Sequence, residues 1–278
     1  MDHLITVREC VAPADIAHFW DEKDKMLLRD IVPDGDIGEP LCDEDIAYFL
    51  GGEYHSTIEK FALREHNIMR RVFFDLDGRE VGFALYCVYD SEDGKCFVLE
   101  FCVYPEFRCA GIGADCFEAL RRRAESEGAE YFELNTHSRR SARFWQRQGF
   151  LLNGWDEYGV ILLCRPPVRG VPFAVTEFTA SDMSADGWQL RRLLNGYCAE
   201  TGSDMPDDAA FDRLSQAMER GDMTFFAARR WYRIIGMCSV DNSFHASAGE
   251  KAYRHFFVEP AFRHNGAARL LARYAQSR

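Results

Sequence analysis

In 278 residues, 47% hydrophobic and 28% charged, there is apolar material for two domains of ordinary size. No apolar run approaches the roughly 20 residues that span a bilayer, and the charged opening MDHLITVREC is not built like a secretory signal. Forty-five acidic against 33 basic residues give a net charge of −12, which argues against a nucleic-acid backbone as the main partner.

Leu4 to Glu9 alternates as a strand, and Pro13 to Asp30 has the apolar spacing of a helix through Ile16, Phe19, Trp20, Met26 and Leu27. Asp30 to Glu53 is acidic and contains no Lys or Arg. It reads as a loop marked by Pro33-Asp-Gly35 and Gly38-Glu-Pro40, with a short helix from Asp43 toward Leu50. Ile68–Asp75 and Glu80–Tyr89 are strands joined at Asp77-Gly78, a tight-hairpin signal. A buried strand follows over Phe97–Tyr104, and then a long amphipathic helix ending near Gly128. Glu130–Thr136 is a strand, Ser138 an N-cap for a helix over Arg139–Gln148 closed by Gly149, and Leu151–Cys164 two short strands.

This succession makes an α/β domain with a mixed sheet over residues 1–165. Residues 166–172, rich in Pro and Gly, read as a linker. In residues 173–278 the pattern starts again, with a strand, two helices, a hairpin, a strand and a helix. Val258-Glu-Pro-Ala-Phe-Arg-His-Asn-Gly266-Ala-Ala268 follows Val103-Tyr-Pro-Glu-Phe-Arg-Cys-Ala-Gly111-Ile-Gly113, and Gly236 matches Gly82. Matching order and type indicate an internal duplication. The copy has no counterpart of Glu130–Gln148, so it reads as partial.

Arg108-Cys-Ala-Gly111-Ile-Gly113 runs from a strand into a helix start. Such a loop turns backbone N–H groups without intrahelical partners toward one point, where an anionic phosphate can accept from them. Gly111 and Gly113 let the backbone approach the anion, and Arg108 adds a permanently charged donor. Neither the G-K-[ST] ending of a nucleotide-hydrolysing loop nor a dinucleotide G-x-G-x-x-G is present. The ten cysteines include no C-x-x-C. Cys102, Cys109 and Cys116 straddle a strand, a loop and a helix, which is not metal-ligand spacing. Buried thiols in a reducing cytoplasm, with no metal, are the expectation.

With VLEFCV, the turn YPEF, the loop Arg108–Ala114 and the segment NTHSRRSARFWQRQGF in order, residues 1–165 resemble the GNAT superfamily of acyl-CoA-dependent N-acetyltransferases. Two such units in one chain resemble its tandem members. The resemblance implies acetyl-CoA as co-substrate, its pyrophosphate on the amides of Arg108, Cys109, Ala110, Gly111, Ile112, Gly113 and Ala114. It implies a central strand splayed from Tyr131–Thr136, with Cys102 and Val103 offering backbone hydrogen bonds to the pantetheine arm. Asn135, Ser141 and Trp145 would line the other side of that slot.

The acceptor is then a primary amine, a small cationic amine or a peptide amine, that attacks directly, and presenting it neutral at pH 7 costs about 4.6 kcal/mol from a lysine-like pKa of ~10.4. Glu100, a lone acid among Phe97, Val98, Leu99, Phe101, Cys102 and Val103, is the candidate base, with an ion pair or solvated position as the structural alternative. Many family members carry a Tyr acid where this chain has Trp145, whose indole is not an acid near neutral pH. Water or Tyr158 could take that role, or the thiolate could leave unprotonated. The acidic Asp30–Glu53 segment falls where the family covers its acceptor pocket, and would suit a cationic amine or be a solvated loop. The second repeat, with Ala268 for a glycine and His255 at the place of Glu100, reads as a lid, a dimerisation module or a scaffold. The competing function is a non-catalytic acyl-CoA-binding or regulatory protein.

Overall fold

The computed structural model describes residues 4–37, 40–155, 160–166, 173–230, 233–242 and 252–277. The chain divides into two compact units, Met1–Phe150 with Gly159–Arg165, and Leu151–Tyr158 with Pro166–Arg278. The expected linker lies, except for Pro166, outside the described residues.

In the first unit β1 (Ile5–Glu9) pairs antiparallel with β2 (Met69–Leu76), which forms a hairpin with β3 (Arg79–Val88). Asp77 and Gly78 both have positive φ (50° and 77°), which matches the right-handed twist of the two strands. β4 (Lys95–Val103) pairs antiparallel with β3, and β5 (Tyr131–Thr136) runs parallel to β4. β6 (Leu151–Trp155) is counted with the second unit, and β7 (Ile161–Arg165) returns antiparallel beside β5.

Helices cover both faces of this sheet. α1 (Pro13–Met26) continues through a π-helical turn at Leu27–Ile31 into a single turn, α2 (Val32–Asp34). α3 (Asp43–Leu50) starts in a capping box, with Asp45 Oδ2 accepting from Cys42 N at 3.0 Å. α4 (Gly52–Ala62) follows after Gly51, a helix that the sequence pattern left unread. One core lies between this layer and the sheet, built on Phe19, Trp20, Met26, Ile58, Phe73, Phe83, Leu85 and Cys102. On the other face, α5 (Ile112–Ser126) buries Cys116, Phe117, Leu120 and Ala124 at helical spacing. There α6 (Arg139–Arg147) adds Ala142 and Trp145 to a core with Val72, Phe74, Val98 and Phe132.

In the second unit β8 (Ala174–Phe178), β9 (Met223–Arg230), β10 (Arg233–Asp241) and β11 (Ala252–Val258) form an antiparallel sheet in the order β11-β10-β9-β8. α7 (Met183–Thr201), α8 (Asp208–Glu219) and α9 (Ala267–Gln276) accompany it. Leu190, Leu193 and Leu194 of α7 pack with Phe225, Ile234 and Met237. All ten cysteines are free, Cys42 and Cys109 exposed and the others buried. No described helix is long and apolar enough to cross a membrane.

Candidate active site

β4 and β5 are paired only at Lys95↔Tyr131, Cys96↔Phe132 and Phe97↔Glu133, and beyond Phe97 the register lapses. From Val98 onward β4 is therefore open on that side, the splay that a pantetheine-like arm needs. β4 also carries a bulge, since Leu85 faces Glu100 while Tyr86 faces Val98, which leaves Leu99 as the extra residue.

The ladder fixes which backbone groups face the opening. Tyr104 N donates to Val81 O at 2.9 Å, and the alternation of an antiparallel pair then turns the N–H and C=O of Cys102 toward Phe83. Those of Phe101 and Val103 turn away from β3. Sequence reasoning named Cys102 beside Val103. The register puts Phe101 in its place, because the parity of a strand cannot be assigned across a bulge before its position is known.

The turn Pro105–Phe107 leads into the glycine loop, where Cys109 (φ 66°) and Gly111 (φ 85°) are both left-handed. Arg108 N donates to Pro105 O and Ala114 N to Gly111 O, so these two of the seven expected amides are already used. Among the described residues, the amides of Cys109, Ala110, Gly111, Ile112 and Gly113 have no protein acceptor, and they cluster at the start of α5. The two glycines serve different ends. A Cβ on Gly111 would meet nothing, and conformation alone selects glycine there; a Cβ on Gly113 would stand 3.2 Å from the Phe144 ring.

The Arg108 guanidinium is not free for a phosphate. Its Nε donates to Val103 O (2.7 Å), and its two terminal nitrogens hold both oxygens of Asp30 (3.0 and 2.6 Å). No local pattern signals this, because 78 positions separate the partners. Asn135 is exposed on β5 opposite Leu162, and Ser141 is half-buried in the first turn of α6, capped by Ser138 Oγ. Trp145 is 5% exposed, with its ring edge-on to Phe101, Phe117 and Phe144 and close to Phe150. It is a core residue behind the sheet. Tyr158 lies outside the described residues.

Glu100 is half-buried on the face covered by α1 and α4. Burial pushes its carboxyl up to about 7, Lys23 draws it down and Asp24 raises it. Lys23 is a functional candidate that the sequence did not single out. It is fully buried, with its ammonium on Phe49 O (2.6 Å) and Asp24 (3.4 Å) and over the Tyr54 ring. Its only sequence signal is a lysine on the apolar side of a helix. Burial, and then the nearby Glu100 charge, raise the Tyr54 hydroxyl well above its usual range.

The acidic segment is largely self-consumed. Besides Asp30, Asp34 pairs with Arg140 (3.4 Å), Asp36 accepts from Arg139 N (2.8 Å), and Asp45 caps α3. Asp36 N and Ile37 N both donate to His137 O. The first part of the segment, Asp30 to Ile37, is thus fastened to the glycine loop and to the start of α6. His18, Asp21 and Glu22 are close enough to share an ion, but each already has a partner in Glu80 or Lys25.

The sequence model of the acetyltransferase (GNAT) family matches residues 39–150, which contain the splayed strand, the bulge and the loop. The first unit carries a GNAT acetyltransferase domain. Solved structures that the chain resembles include the PaiA N-acetyltransferase of Thermoplasma acidophilum in complex with coenzyme A. That likeness is at 14% identity and TM-score 0.46, over 58% of this chain and 98% of that one. An acetyltransferase of Thermus thermophilus is similar at 18% identity and TM-score 0.40, over 60% and 100%. N-acetylglutamate synthase of Neisseria gonorrhoeae, complexed with coenzyme A and N-acetyl-glutamate, is similar at 14% and 0.41, over 61% and 36%. No curated protein matches the chain.

In the second unit Arg263 repeats the contacts of Arg108, with Nε on Val258 O (2.8 Å) and a terminal nitrogen on Glu200 (2.5 Å). His264 (φ 64°) and Gly266 (φ 97°) repeat the two left-handed positions. The amide of Ala267, however, is taken by Asn265 Oδ1 at 3.1 Å. His255 is bonded to Ser239 Oγ (2.9 Å) and stacked on Phe225, and burial lowers its pKa.

Proposed function

We propose that the GNAT domain transfers the acetyl group of acetyl-CoA to a primary amine by direct attack within the first unit. The observation that carries this reading is the lapse of β4–β5 pairing after Phe97, next to five unpaired loop amides and a lone carboxyl beside the bulge. The amides of Cys109–Gly113 would hold the diphosphate, each helix-terminus contact contributing about 0.3–1 kcal/mol. Phe101 and Val103 would pair with the amides of the pantetheine arm, Val103 through its N–H because Arg108 takes its carbonyl. Asn135 and Ser141 would line the far side, with Trp145 supporting that wall from the core.

The amine nitrogen attacks the thioester carbonyl and forms the new C–N bond. Glu100 accepts the ammonium proton, directly or through water, and the C–S bond breaks to release coenzyme A as thiolate. A carboxyl near 7 is a better-matched base for neutral pH than one in the ordinary range. The acceptor is a primary amine, a small cationic one or a peptide amine; Asp30, Asp34, Asp36 and Asp45 of the acidic segment already have partners within the chain, while Asp43, Glu44 and Glu53 are exposed. The second unit is a partial GNAT-like copy, with Asn265 occupying part of its loop.

Thiol release from acetyl-CoA over a panel of amines, with wild type and Glu100→Gln, tests the reading. Acceptor-dependent release that falls about 100-fold or more in the variant supports it. Tight binding of acetyl-CoA with no acceptor-dependent release would favour a non-catalytic acyl-CoA-binding protein.

A further inference from the structure

The same three-part contact occurs once in each unit. An arginine opens the loop, its Nε donates to the carbonyl of the last strand residue, and a carboxylate contributed by an earlier helical segment is held by both terminal nitrogens in the first unit and by one in the second. In the first unit these are Arg108, Val103 and Asp30; in the second they are Arg263, Val258 and Glu200. The loop residues between differ, Cys109-Ala110 against His264-Asn265, yet the left-handed positions fall at the same places. The carboxylate also differs in type and sits in a different setting: a π-helical turn in one case, the last turn of α7 in the other. What recurs is the clamp together with the loop shape.

We infer that Asp30 is a positioning residue for the glycine loop: by holding the Arg108 fork it keeps the Cys109–Gly113 amides aimed at the coenzyme diphosphate. The inference rests on the reading of that loop as the diphosphate site. A guanidinium anchored at three points cannot rotate, and it ties strand end, turn and loop into one body. A non-glycine residue in the left-handed region, as Cys109 is, costs on the order of 1–2 kcal/mol and persists only where surroundings impose it. Arg29 also donates to Asp30 (2.8 Å), so two guanidiniums share one carboxylate, and a net positive charge remains beside the loop. Burial would raise the Asp30 carboxyl, but the hydrogen bonds from Arg108 and Arg29 hold it at about 2, so the clamp stays charged at any working pH. In the second unit the clamp persists although Asn265 has taken one loop amide, which ties it to the shape of the loop.

The test compares full-length wild type with Asp30→Asn, Asp30→Glu and Arg108→Lys. Calorimetric titration gives the Kd for coenzyme A, and amide NMR reports Cys109–Gly113 in the free protein. Asp30→Asn should weaken coenzyme A about 10-fold and shift those five amide signals, with Tm held within a few degrees. Asp30→Glu should restore most of the affinity. Arg108→Lys, which keeps the charge but lacks the fork, should behave like Asp30→Asn. Unchanged or tighter binding in Asp30→Asn overturns the inference, as does weaker binding that only follows a fall in Tm and is not restored by Glu. If wild type itself binds no coenzyme A, the diphosphate reading falls, and the loop signals alone still separate a clamp from an incidental ion pair.

Discussion

A Cβ placed on Gly82 would fall well inside contact distance of Cys102 O, closer than any side chain can approach a backbone oxygen. The two residues lie on adjacent strands one step from the end of β4, where the backbone of Val103 turns away from β3. Gly236 faces the equivalent strand in the second unit, with a Cβ 2.9 Å from the Val258 side chain and 3.0 Å from Phe257 O.

Gly82→Ala is therefore expected to push β3 from β4 and destabilise the first unit by about 1–3 kcal/mol or more, as overpacking does. Urea unfolding followed by fluorescence measures it. A midpoint equal to wild type would mean that β3 and β4 are not in close contact at Gly82.

The rate should depend on pH through Glu100. A general base works deprotonated, so kcat/KM is expected to rise with pH through about 7 and level above it. Lys23 lowers that pKa, so Lys23→Met should move the rise to more alkaline pH. The stability linkage has the opposite sign. The folded state favours the neutral carboxyl, so this contribution is complete below the ordinary value of 4.5 and is lost as pH rises through about 7. A pH–rate profile that does not move in Lys23→Met would sever the link between the two residues.

The glycines of the loop should fail differently. Gly111→Ala forces a Cβ into a left-handed conformation at a cost of about 1–2 kcal/mol, but introduces no contact. Gly113→Val drives a side chain into Phe144 and displaces the start of α5. Titration of coenzyme A should show a modest loss for the first and a near-complete loss for the second. The reverse order would count against the packing role given to Gly113.

Trp145 is expected to matter for stability and not for chemistry. Trp145→Ala should cost about 3–5 kcal/mol through the cavity it opens among Phe101, Phe117 and Phe150, while Trp145→Phe keeps most of the packing. Once an acceptor is known, kcat for Trp145→Phe should stay within a few-fold of wild type. A drop of about 100-fold, the scale of a lost proton-transfer group, would restore the indole to the reaction.

The sequence by itself determined the α/β architecture, the order of strands and helices from Met69 to Arg147, and the loop after β4. These depend on local periodicity and on glycines whose left-handed φ no other residue adopts cheaply. Glu100 stood out because a charge inside an apolar strand must be justified by its surroundings. Only the tertiary structure decided what each side chain is spent on. Arg108 and Asp30 are 78 residues apart, so their pairing depends on how the helical segment after α1 lies over β4. Trp145 and Ser141 share one helix, yet one is core and the other half-buried, a division set by the face that meets the sheet. The bulge at Leu99 turned the backbone of Phe101, not that of Cys102, away from β3, because a single inserted residue reverses the parity of everything that follows it. Periodicity is a local property and survives in the sequence; ion pairing and strand parity are relations between distant segments, and they exist only once the chain has folded.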